Sequence, residues 1–458
     1  MDARLAADLT MLPGLLDETR DYAGTLLAGL GDRAAAAPAR PFAPAPLPVE
    51  GRGLSGALAE FARRWEPGFS GSAGPRYFGF VTGGATPAAV AGDWLTAALD
   101  QNAVSSDGSS ATDLERETVG WLAALLGLDG HTGSFVTGAT MSNVVGLALA
   151  RQWLGHERGV SAADSGVAAM APVTVLSATP HASVRKGLSL LGLGRDALRV
   201  VPTLPGREAV DVAALDARLA ESGPAVVVAN AGTVNTVDYD DLRAIAALRE
   251  RHRFWLHVDG AFGALAALSP AHAHLLDGLA GADSVCVDLH KWLNVPYDSA
   301  VQFSRHRDLQ VEVFQASAAY LGDVGDDPDF IHLTPESSRR LRALATWFSL
   351  TAYGAAGHRD IVERNIATAR RLGDRLAALP GLRLLAPVRL NVVCFTVDSD
   401  VAEFLRRVTA TGEAFLTPTV YGGTPGVRLA VSNWRTEKTD EDRTVAALAE
   451  VLAGLVRP

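Results

Sequence analysis

Lysine is scarce in this chain of 458 residues. Only Lys186, Lys291 and Lys438 are present, and the other 38 of the 41 basic residues are arginines. The scarcity is consistent with a general bias in composition. Even so, a guanidinium cannot replace a reactive amine, so any chemistry that needs a primary amine has three candidate side chains.

Cysteine and net positive charge are also lacking. Cys286 and Cys394 are the two cysteines, and neither belongs to a Cys-x-x-Cys or Cys/His cluster, so we predict neither a disulfide framework nor a metal site. Two buried thiols in a reducing cytoplasm are the simplest interpretation. The net charge of −10 offers no basic surface for nucleic acid or anionic membranes, and we expect neither partner.

Long apolar runs and several common motifs are missing as well. Without an uninterrupted apolar run of membrane-spanning length, no transmembrane helix is predicted, and the first residues do not resemble a signal peptide. The dinucleotide-binding G-x-G-x-x-G, the P-loop, the G-x-S-x-G elbow and H-E-x-x-H are absent. These absences argue against dehydrogenase, NTPase, serine hydrolase and metalloprotease functions.

The chain does contain short apolar strands that alternate with helix-length segments between about residues 85 and 305. This alternation predicts βαβ units and a mostly parallel sheet, which is the α/β class. The predicted strands are Gly133–Val136, Val173–Ser177, Ala225–Ala229, Trp255–Asp259, Ser284–Asp288 and Ser299–Phe303.

Different patterns flank this region. Residues 4–30 carry apolar positions at helical spacing with a break near Pro13, and the Ala/Pro-rich residues 34–50 predict an extended arm. A long helical stretch begins near Ser338. The last hundred residues mix helices with short strands and predict a smaller α+β domain.

Two predicted strand ends carry a carboxylate and an amine. Lys291 follows the strand that ends at Asp288, and Asp259 ends another strand 32 residues before Lys291. Ligand groups in α/β folds cluster at the carboxyl ends of strands, so the two can meet in one site. We expect burial to depress the pKa of Lys291, which favours a nucleophilic or Schiff-base role. The alternative is a structural ion pair.

These segments resemble the pyridoxal-phosphate-dependent amino-acid decarboxylases of the aromatic-L-amino-acid and glutamate type. The resemblance rests on His257-Val258-Asp259 and His290-Lys291-Trp292 at the family's spacing, and it extends from about Pro75 to Arg435.

The resemblance implies fold type I of the pyridoxal-phosphate (PLP) enzymes. The expected parts are an N-terminal helical arm and linker over residues 1–77, a large domain with a mostly parallel seven-stranded sheet over 78–347, and a small C-terminal α+β domain over 348–458. In the resembling family the arm is exchanged across a dimer, so we expect a cytoplasmic homodimer.

The resemblance also implies PLP as cofactor and assigns residues to it. Lys291 would bind PLP as a Schiff base, and Asp259 would pair with the pyridinium nitrogen so that the ring can accept electrons. His181 would stack on the ring and assist proton handling, with Ala261 against the opposite face. Thr233 would approach the phenolic oxygen. Without the resemblance, the simplest interpretation of His181 is a capping residue at a turn between a strand and a helix.

A phosphate cradle is predicted where small residues precede a helix. Within residues 137–143, Ala139 and Thr140 would hold the phosphate at the positive end of the helix, although such loops are often mere caps. By resemblance, His290 also reaches the phosphate. Asp288 would repel a phosphate, so we expect it to orient a neighbouring group instead.

Tyr320 indicates the type of reaction. It lies 29 residues beyond Lys291 and matches the tyrosine on the family's mobile catalytic loop, which would protonate Cα after CO2 leaves. The following Gly322–Asp329 run agrees with a lid. We therefore expect decarboxylation of an L-amino acid to its amine. The alternatives are a decarboxylation-dependent aldehyde synthase, for which relatives carry Phe at this position, or another lyase or aminotransferase activity.

The expected substrate contacts are less distinctive. Arg428 matches an arginine that can hold the substrate α-carboxylate, for which a guanidinium is suited. Phe80 and Val81 match an aromatic substrate wall, although such stretches are often core. Ser338 lies where the animal and plant aromatic enzymes vary between Gly and Ser, in a segment that otherwise departs from them. The apolar wall favours an aromatic or other bulky substrate, whereas this departure argues against an aromatic one.

Overall fold

A computed structural model describes residues 1–37, 43–106, 108–170, 172–316 and 324–456. Two sheets organise these residues, one of seven strands and one of four. None of the helices within these ranges has the length and apolar character needed to cross a bilayer.

The larger sheet confirms the predicted α/β class. Its strand order is β1-β7-β6-β5-β4-β2-β3, and β7 alone runs antiparallel to its neighbours. One strand, β3, was not predicted from the sequence. The strands are β1 Thr132–Val136, β2 Val175–Ser177, β3 Leu198–Val200, β4 Ala225–Asn230, β5 Phe254–Asp259, β6 Ser284–Asp288 and β7 Ala300–Ser304.

The smaller sheet is antiparallel throughout, in the order β10-β11-β9-β8. It lies in the C-terminal region, as the sequence predicted, but β10 was not predicted. The strands are β8 Leu382–Leu384, β9 Val392–Val397, β10 Thr417–Tyr421 and β11 Thr424–Ala430.

Fourteen α-helices occur in the described ranges and surround the two sheets. They are α1 Ala3–Thr10, α2 Leu12–Ala28, α3 Gly53–Arg64, α4 Pro87–Leu99, α5 Ala111–Leu126, α6 Ala139–His156, α7 Ala162–Ser165, α8 Ala182–Leu190, α9 Val212–Ser222, α10 Leu242–Ala247, α11 Arg307–Phe314, α12 Ala343–Ala377, α13 Val401–Thr411 and α14 Lys438–Val456.

Two helix boundaries differ from the sequence prediction, and one whole helix was missed. The N-terminal helices separate at Met11 rather than at Pro13, because proline is tolerated in the first turn of α2. Helix α12 begins at Ala343, not near Ser338, and its one non-helical residue is Gly354 at φ 57°. Helix α3 was not predicted.

Burial in the two sheets follows their surroundings. Every residue of β4, β5 and β6 is buried, as expected for parallel strands with both faces covered. In β11, Val427 and Leu429 pack into an apolar cluster with Phe404 and Leu448. Arg428 lies between them in sequence, so its side chain points to the opposite face of the small sheet.

The carboxyl ends of the parallel strands create one polar edge. Strand β5 ends at Asp259 and β6 at Asp288. Helix α6 starts at the same edge, since the backbone N–H of Ala139 donates to the Asp288 carboxylate over 2.9 Å. This edge collects the side chains of the candidate site.

Candidate active site

Lys291 lies at this edge and contacts a carboxylate. Its Nζ is 2.9 Å from Asp288 Oδ2, and its side chain is 18% exposed. Burial disfavours the charged amine, but attraction to Asp288 and Asp259 outweighs burial, so the pKa of Lys291 lies above its ordinary value. The expectation of a depressed pKa is therefore wrong for this structure, because two carboxylates accompany the buried amine.

Asp288 orients three neighbours at once. Besides Lys291 and the N–H of Ala139, its carboxylate lies 3.3 Å from His290 Nε2. Burial opposes ionisation, but Lys291 and His290 outweigh it and hold the pKa of Asp288 below its ordinary value. The role expected for Asp288, orienting nearby groups, agrees with these contacts.

Asp259 presents a second buried carboxylate. One oxygen accepts a hydrogen bond from Asn143 Nδ2 at 2.9 Å, and the other accepts the backbone N–H of Ala261 at 3.1 Å. The residue is 6% exposed. Two hydrogen bonds orient the carboxylate without neutralising its charge, which suits it to pair with a cationic ring nitrogen.

His181 caps α8 and also faces the cleft. Its Nδ1 accepts the backbone N–H of Ser183 at 3.2 Å and lies 2.7 Å from Ser183 Oγ. The capping alternative is thus observed, and it leaves Nε2 available. Desolvation lowers the pKa of His181, and repulsion from Lys291 and Arg428 lowers it further. Attraction to Asp259 opposes them only in part, so the pKa lies below its ordinary value. The imidazole is neutral at pH 7.

The start of α6 has the features of a phosphate cradle. Gly138 occupies the N-cap and provides no side-chain cap. A Cβ at Gly138 would lie 3.3 Å from His290 Cε1, a tight contact that would narrow the space. Ala139 is buried and Thr140 is exposed.

PLP needs an amine, an anion for its ring nitrogen and donors for its phosphate. Lys291, Asp259 and the start of α6 supply this donor set at one edge of the sheet. The residues therefore fit PLP. His290 and His181 line the same edge, as expected.

Thr233 is placed differently from the sequence expectation. Its hydroxyl donates to Glu208 Oε2 over 2.6 Å and accepts the backbone N–H of Asp238 at 2.9 Å. The residue is 1% exposed. A hydroxyl with both partners satisfied has no hydrogen left for a phenolic oxygen, so that contact would require Thr233 to leave Glu208.

Glu208 is a buried polar centre that sequence reasoning missed. Its carboxylate also accepts from Asn235 Nδ2 and from the N–H and hydroxyl of Thr236. A cleft of about 770 Å³ opens beside it and His181 and reaches Tyr421 of the small sheet.

Arg428 faces this region from the small sheet. It is 8% exposed, and among the described residues its guanidinium has no hydrogen bond or ion pair. Burial lowers its pKa, partly offset by attraction to Cys394 and Glu208. On the neighbouring strand β10, Thr417 lies opposite Arg428. Its buried hydroxyl likewise has no hydrogen-bond partner among the residues described.

The predicted substrate wall divides into two environments. Phe80 is 61% exposed, with its ring 6.0 Å from that of Phe415, whereas Val81 is 3% exposed and joins the large core. Both have positive φ, 57° and 59°. Positive φ is unfavourable for a β-branched residue such as Val81, and such strain is concentrated at functional sites.

The other two predicted residues lie away from these contacts or beyond description. Ser338 is exposed in the loop before α12. Tyr320 lies outside the described residues, so its prediction stays untested.

Asn143 and Ser183 are two further buried residues, in contact with Asp259 and His181, that sequence reasoning did not assign. Asn143 contacts both Asp259 and Ser183 from the second turn of α6. Its position within the Thr137–Asn143 motif was visible, but an amide on a helix carries no signal of its distant partners.

The chain is similar to several proteins of known function. The family described as "Pyridoxal-dependent decarboxylase conserved domain" matches residues 40–398. The chain is 29% identical over 384 residues to the aromatic-L-amino-acid decarboxylase of Bacillus atrophaeus, covering 79% of this chain and 78% of the relative. It is 31% identical over 338 residues to the cysteine sulfinic acid decarboxylase of Mus musculus, covering 70% and 66%.

A solved structure shows the same fold. The Oryza sativa TDC structure with PLP and tryptamine superimposes with a TM-score of 0.91 at 23% identity, covering 98% of this chain and 99% of the other.

Proposed function

The chain belongs to the pyridoxal-dependent decarboxylase family, and on this premise we propose that its cleft decarboxylates an L-amino acid with an aromatic or other bulky side chain. The resemblance found in the sequence is thereby confirmed. The protein is a PLP-dependent carboxy-lyase acting on an amino acid. Which amino acid it uses, and which residues act, are the substance of the proposal.

One observation carries the assignment of the reactive amine. Of the three lysines, Lys291 alone lies at the carboxyl ends of the sheet strands, whereas Lys186 is exposed on α8 and Lys438 pairs with Asp442 at the surface. PLP, when bound, supplies an electron-accepting ring that stabilises the charge developing at Cα as the carboxyl group departs.

The protein's own groups then have separate tasks. Lys291 holds the cofactor aldehyde carbon, and Asp259 accepts a hydrogen bond from the ring nitrogen. His181 and Ala261 bracket the ring. The N–H group of Thr140 holds the phosphate, with His290 beside it, and the N–H of Ala139 joins them on the condition that it leaves Asp288. These roles are supported by the contacts between Lys291, Asp288 and Ala139 and by the carboxylate orientation at Asp259.

For the substrate we propose that Arg428 binds the α-carboxylate and that Phe80 forms an apolar wall, with Val81 behind it. Support comes from the guanidinium of Arg428, which lacks a partner in the part of the chain described, and from the exposed ring of Phe80. A buried cation without a partner is costly, so an anionic ligand is the natural complement. We retain Ser338 as a proposed contact.

Proton delivery to Cα is assigned to Tyr320, on the basis of its spacing from Lys291 in the sequence. Thr233 remains a proposed cofactor contact, on the condition that its hydroxyl leaves Glu208. Aldehyde formation is the competing outcome on the same scaffold, and it differs in consuming oxygen.

A substrate panel tests the proposal. The purified PLP-loaded protein is incubated with single L-amino acids while CO2, amine, aldehyde and hydrogen peroxide are measured. We expect CO2 and amine in equal amounts from one or a few aromatic or bulky substrates. Aldehyde with peroxide in place of amine, or PLP binding without CO2 from any amino acid, would contradict decarboxylation to the amine.

Matched lysine variants test the site. Lys291→Ala should abolish both CO2 release and the long-wavelength absorbance of bound PLP, because no other amine replaces it. Lys186→Ala and Lys438→Ala serve as controls that should retain both. Loss of the absorbance in a control but not in Lys291→Ala would contradict the assignment.

We further propose a homodimer located in the cytoplasm, with the three-part division at 1–77, 78–347 and 348–458. Exposed apolar side chains on α1 and α2, among them Leu5, Leu9 and Leu16, support an association surface on the N-terminal arm. Both thiols are free and buried, as expected for a reducing compartment. Light scattering of the full chain and of one lacking residues 1–28 tests the dimer.

A further inference from the structure

Asn143 is the centre of a buried hydrogen-bond network beneath the cleft. It is fully buried, and its carboxamide makes three bonds of 2.9 Å. Nδ2 donates to Asp259 Oδ2 and to Ser183 Oγ, while Oδ1 faces His257 Nε2. One side chain of α6 therefore connects the last strand residue of β5 to the first turn of α8.

The direction of these hydrogen bonds follows from the groups at the two ends. Trp255 Nε1 can only donate, so Ser284 Oγ, 3.0 Å away, accepts from it and keeps its own hydrogen for His257 Nδ1, 2.8 Å away. At the other end the Asp259 carboxylate can only accept, so Asn143 presents Nδ2 to it and Oδ1 to His257 Nε2. His257 consequently carries its hydrogen on Nε2 and donates to Asn143.

This direction determines the orientation of the Asn143 amide. With Oδ1 accepting from His257, Nδ2 points to Asp259 and Ser183. The flipped amide would bring its oxygen against the Asp259 carboxylate and its N–H groups against the N–H of His257. Both contacts would be repulsive, so only one orientation satisfies all partners.

Burial keeps His257 neutral. It is fully buried, and desolvation, opposed by attraction to Asp259, lowers its pKa to about 4. The imidazole therefore holds one hydrogen at pH 7, as the network requires.

The second branch reaches His181. Ser183 Oγ accepts from Asn143, so its own hydrogen points to His181 Nδ1 over 2.7 Å. The backbone N–H of Ser183 donates to the same nitrogen. His181 is consequently an acceptor at Nδ1, and its Nε2–H is left for the cleft.

We propose that Asn143 is a positioning residue that orients Asp259 and His181 as one unit and keeps both His257 and His181 in the Nε2–H tautomer. The proposal rests on the proposed function, because Asp259 and His181 act there on the cofactor. A primary amide donates hydrogen bonds but does not relay protons between its neighbours. Asn143 thus orients the carboxylate without giving it a proton from the interior.

The first test needs neither cofactor nor activity. Cofactor-free protein with ¹⁵N-labelled histidine rings reports each tautomer by NMR. We expect the Nε2–H form for His257 and His181. In Ser183→Ala the backbone N–H at position 183 still donates to His181 Nδ1, so His181 should keep this form while its Nδ1 signal shifts with the loss of the hydroxyl. In Ser284→Ala the Nδ1 signal of His257 should shift in the same way. An Nδ1–H signal for either histidine in the unsubstituted protein would overturn the proposal.

The second test measures the cofactor. In Asn143→Leu, which keeps the side-chain volume but removes the amide, PLP affinity should fall by about ten- to a hundredfold, the factor for one hydrogen bond to a charged group. The pH midpoint of the bound-cofactor absorbance should also shift. Asp259, Asp288, Lys291 and Arg428 all act on His181 and are unchanged in this variant.

Ser142→Ala is the matched control. Ser142 is buried on the same helix and donates to Val301 O, outside the network, so its PLP affinity and pH midpoint should match those of the unsubstituted protein. Unchanged affinity and midpoint in Asn143→Leu would overturn the proposal.

Further arms separate the possible failures. If Asn143→Leu does not fold, Ser183→Ala decides. It should shift the His181 Nδ1 signal and leave the pH midpoint near that of the unsubstituted protein, and an unchanged signal with a shifted midpoint counts against the proposal. If the protein binds PLP yet releases no CO2, the proposed function fails while both tests of Asn143 still give an answer.

Discussion

Two arginines with nearly equal burial, Arg339 and Arg428, illustrate two uses of a buried cation. Arg339 is 3% exposed and Arg428 is 8% exposed. They differ in their partners. Removing a charge from water is costly, so the partners determine what each cation contributes.

Arg339 is tied to its surroundings on both terminal nitrogens. It donates to Ala103 O at 2.6 Å, to Phe135 O at 2.8 Å and to Glu115 Oε1 at 2.6 Å. Its guanidinium carbon lies 4.7 Å from the centre of the Phe330 ring. These contacts join the loop before α12 to α5 and β1, so Arg339 connects structural elements.

The guanidinium of Arg428 has no hydrogen-bond or ion-pair partner among the residues that the structure describes. Its neighbours across the small sheet are Cys394 and Thr417, and Glu208, which is saturated by other donors, acts on it only through its charge. Burial with partners therefore indicates a structural role for Arg339. Burial without them supports the binding role that we propose for Arg428.

The largest effect should follow from Arg339→Met. Leaving Glu115 buried and without its cation should lower the free energy of unfolding by about 3–5 kcal/mol, measured by urea denaturation. Adding Glu115→Leu should restore part of that loss, because no charge is then left buried. A loss below about 1 kcal/mol in the single variant would show that the partners do not distinguish Arg339.

Arg428→Gln should change catalysis rather than folding. Losing a charge-assisted bond to the substrate carboxylate should reduce kcat/KM by about ten- to a hundredfold, while the unfolding free energy stays within about 1 kcal/mol. Steady-state CO2 release and urea denaturation measure the two. Normal kcat/KM combined with a large loss of stability would make Arg428 structural, like Arg339.

A carboxylate ligand that lacks an amine tests whether Arg428, and not Arg339, binds carboxylates. 3-Phenylpropionate at ten times its Kd should stabilise the unsubstituted protein by about 1.4 kcal/mol through mass action, measured by thermal denaturation. Both terminal nitrogens of Arg339 are already bound, so the gain should disappear at the same concentration in Arg428→Gln. An equal gain in both proteins would place the carboxylate elsewhere.

The smallest effect is expected at an exposed arginine. Arg218 pairs with Glu221 on the surface of α9, with side chains 55% and 69% exposed. Arg218→Gln should change the unfolding free energy by no more than about 0.5 kcal/mol and leave kcat/KM unchanged. A larger change would mean that arginine substitution itself, rather than burial, explains the other results.

The strands of both sheets were largely predictable, and the two that were missed lie at sheet edges. Central strands such as β4 and β5 are continuous apolar runs because both faces are covered. The two missed strands, β3 and β10, are each the last in their sheet. An edge strand needs no such run and tolerates proline, as Pro418 in β10 illustrates.

The candidate site was predictable where chemistry is local to a strand end. Lys291 and Asp259 follow directly from motifs that adjoin apolar strands. Asn143 does not, because its partner Asp259 is 116 residues away, and no property of an amide on a helix indicates that contact. Hydrogen bonds require approach to about 3 Å, which chain spacing cannot specify.

The sequence by itself determined the α/β class, because that class depends on the periodicity of apolar residues. The cofactor type and the single amine suited to bind it followed from the family resemblance that the motifs around Asp259 and Lys291 carry. The tertiary structure decided how those groups are set. It placed two carboxylates beside Lys291, which raise its pKa although burial alone would lower it. It also joined the hydroxyl of Thr233 to Glu208 and buried Arg428 without a partner in the described chain. Such properties depend on what lies within a few ångströms, and folding brings together residues that are far apart in sequence.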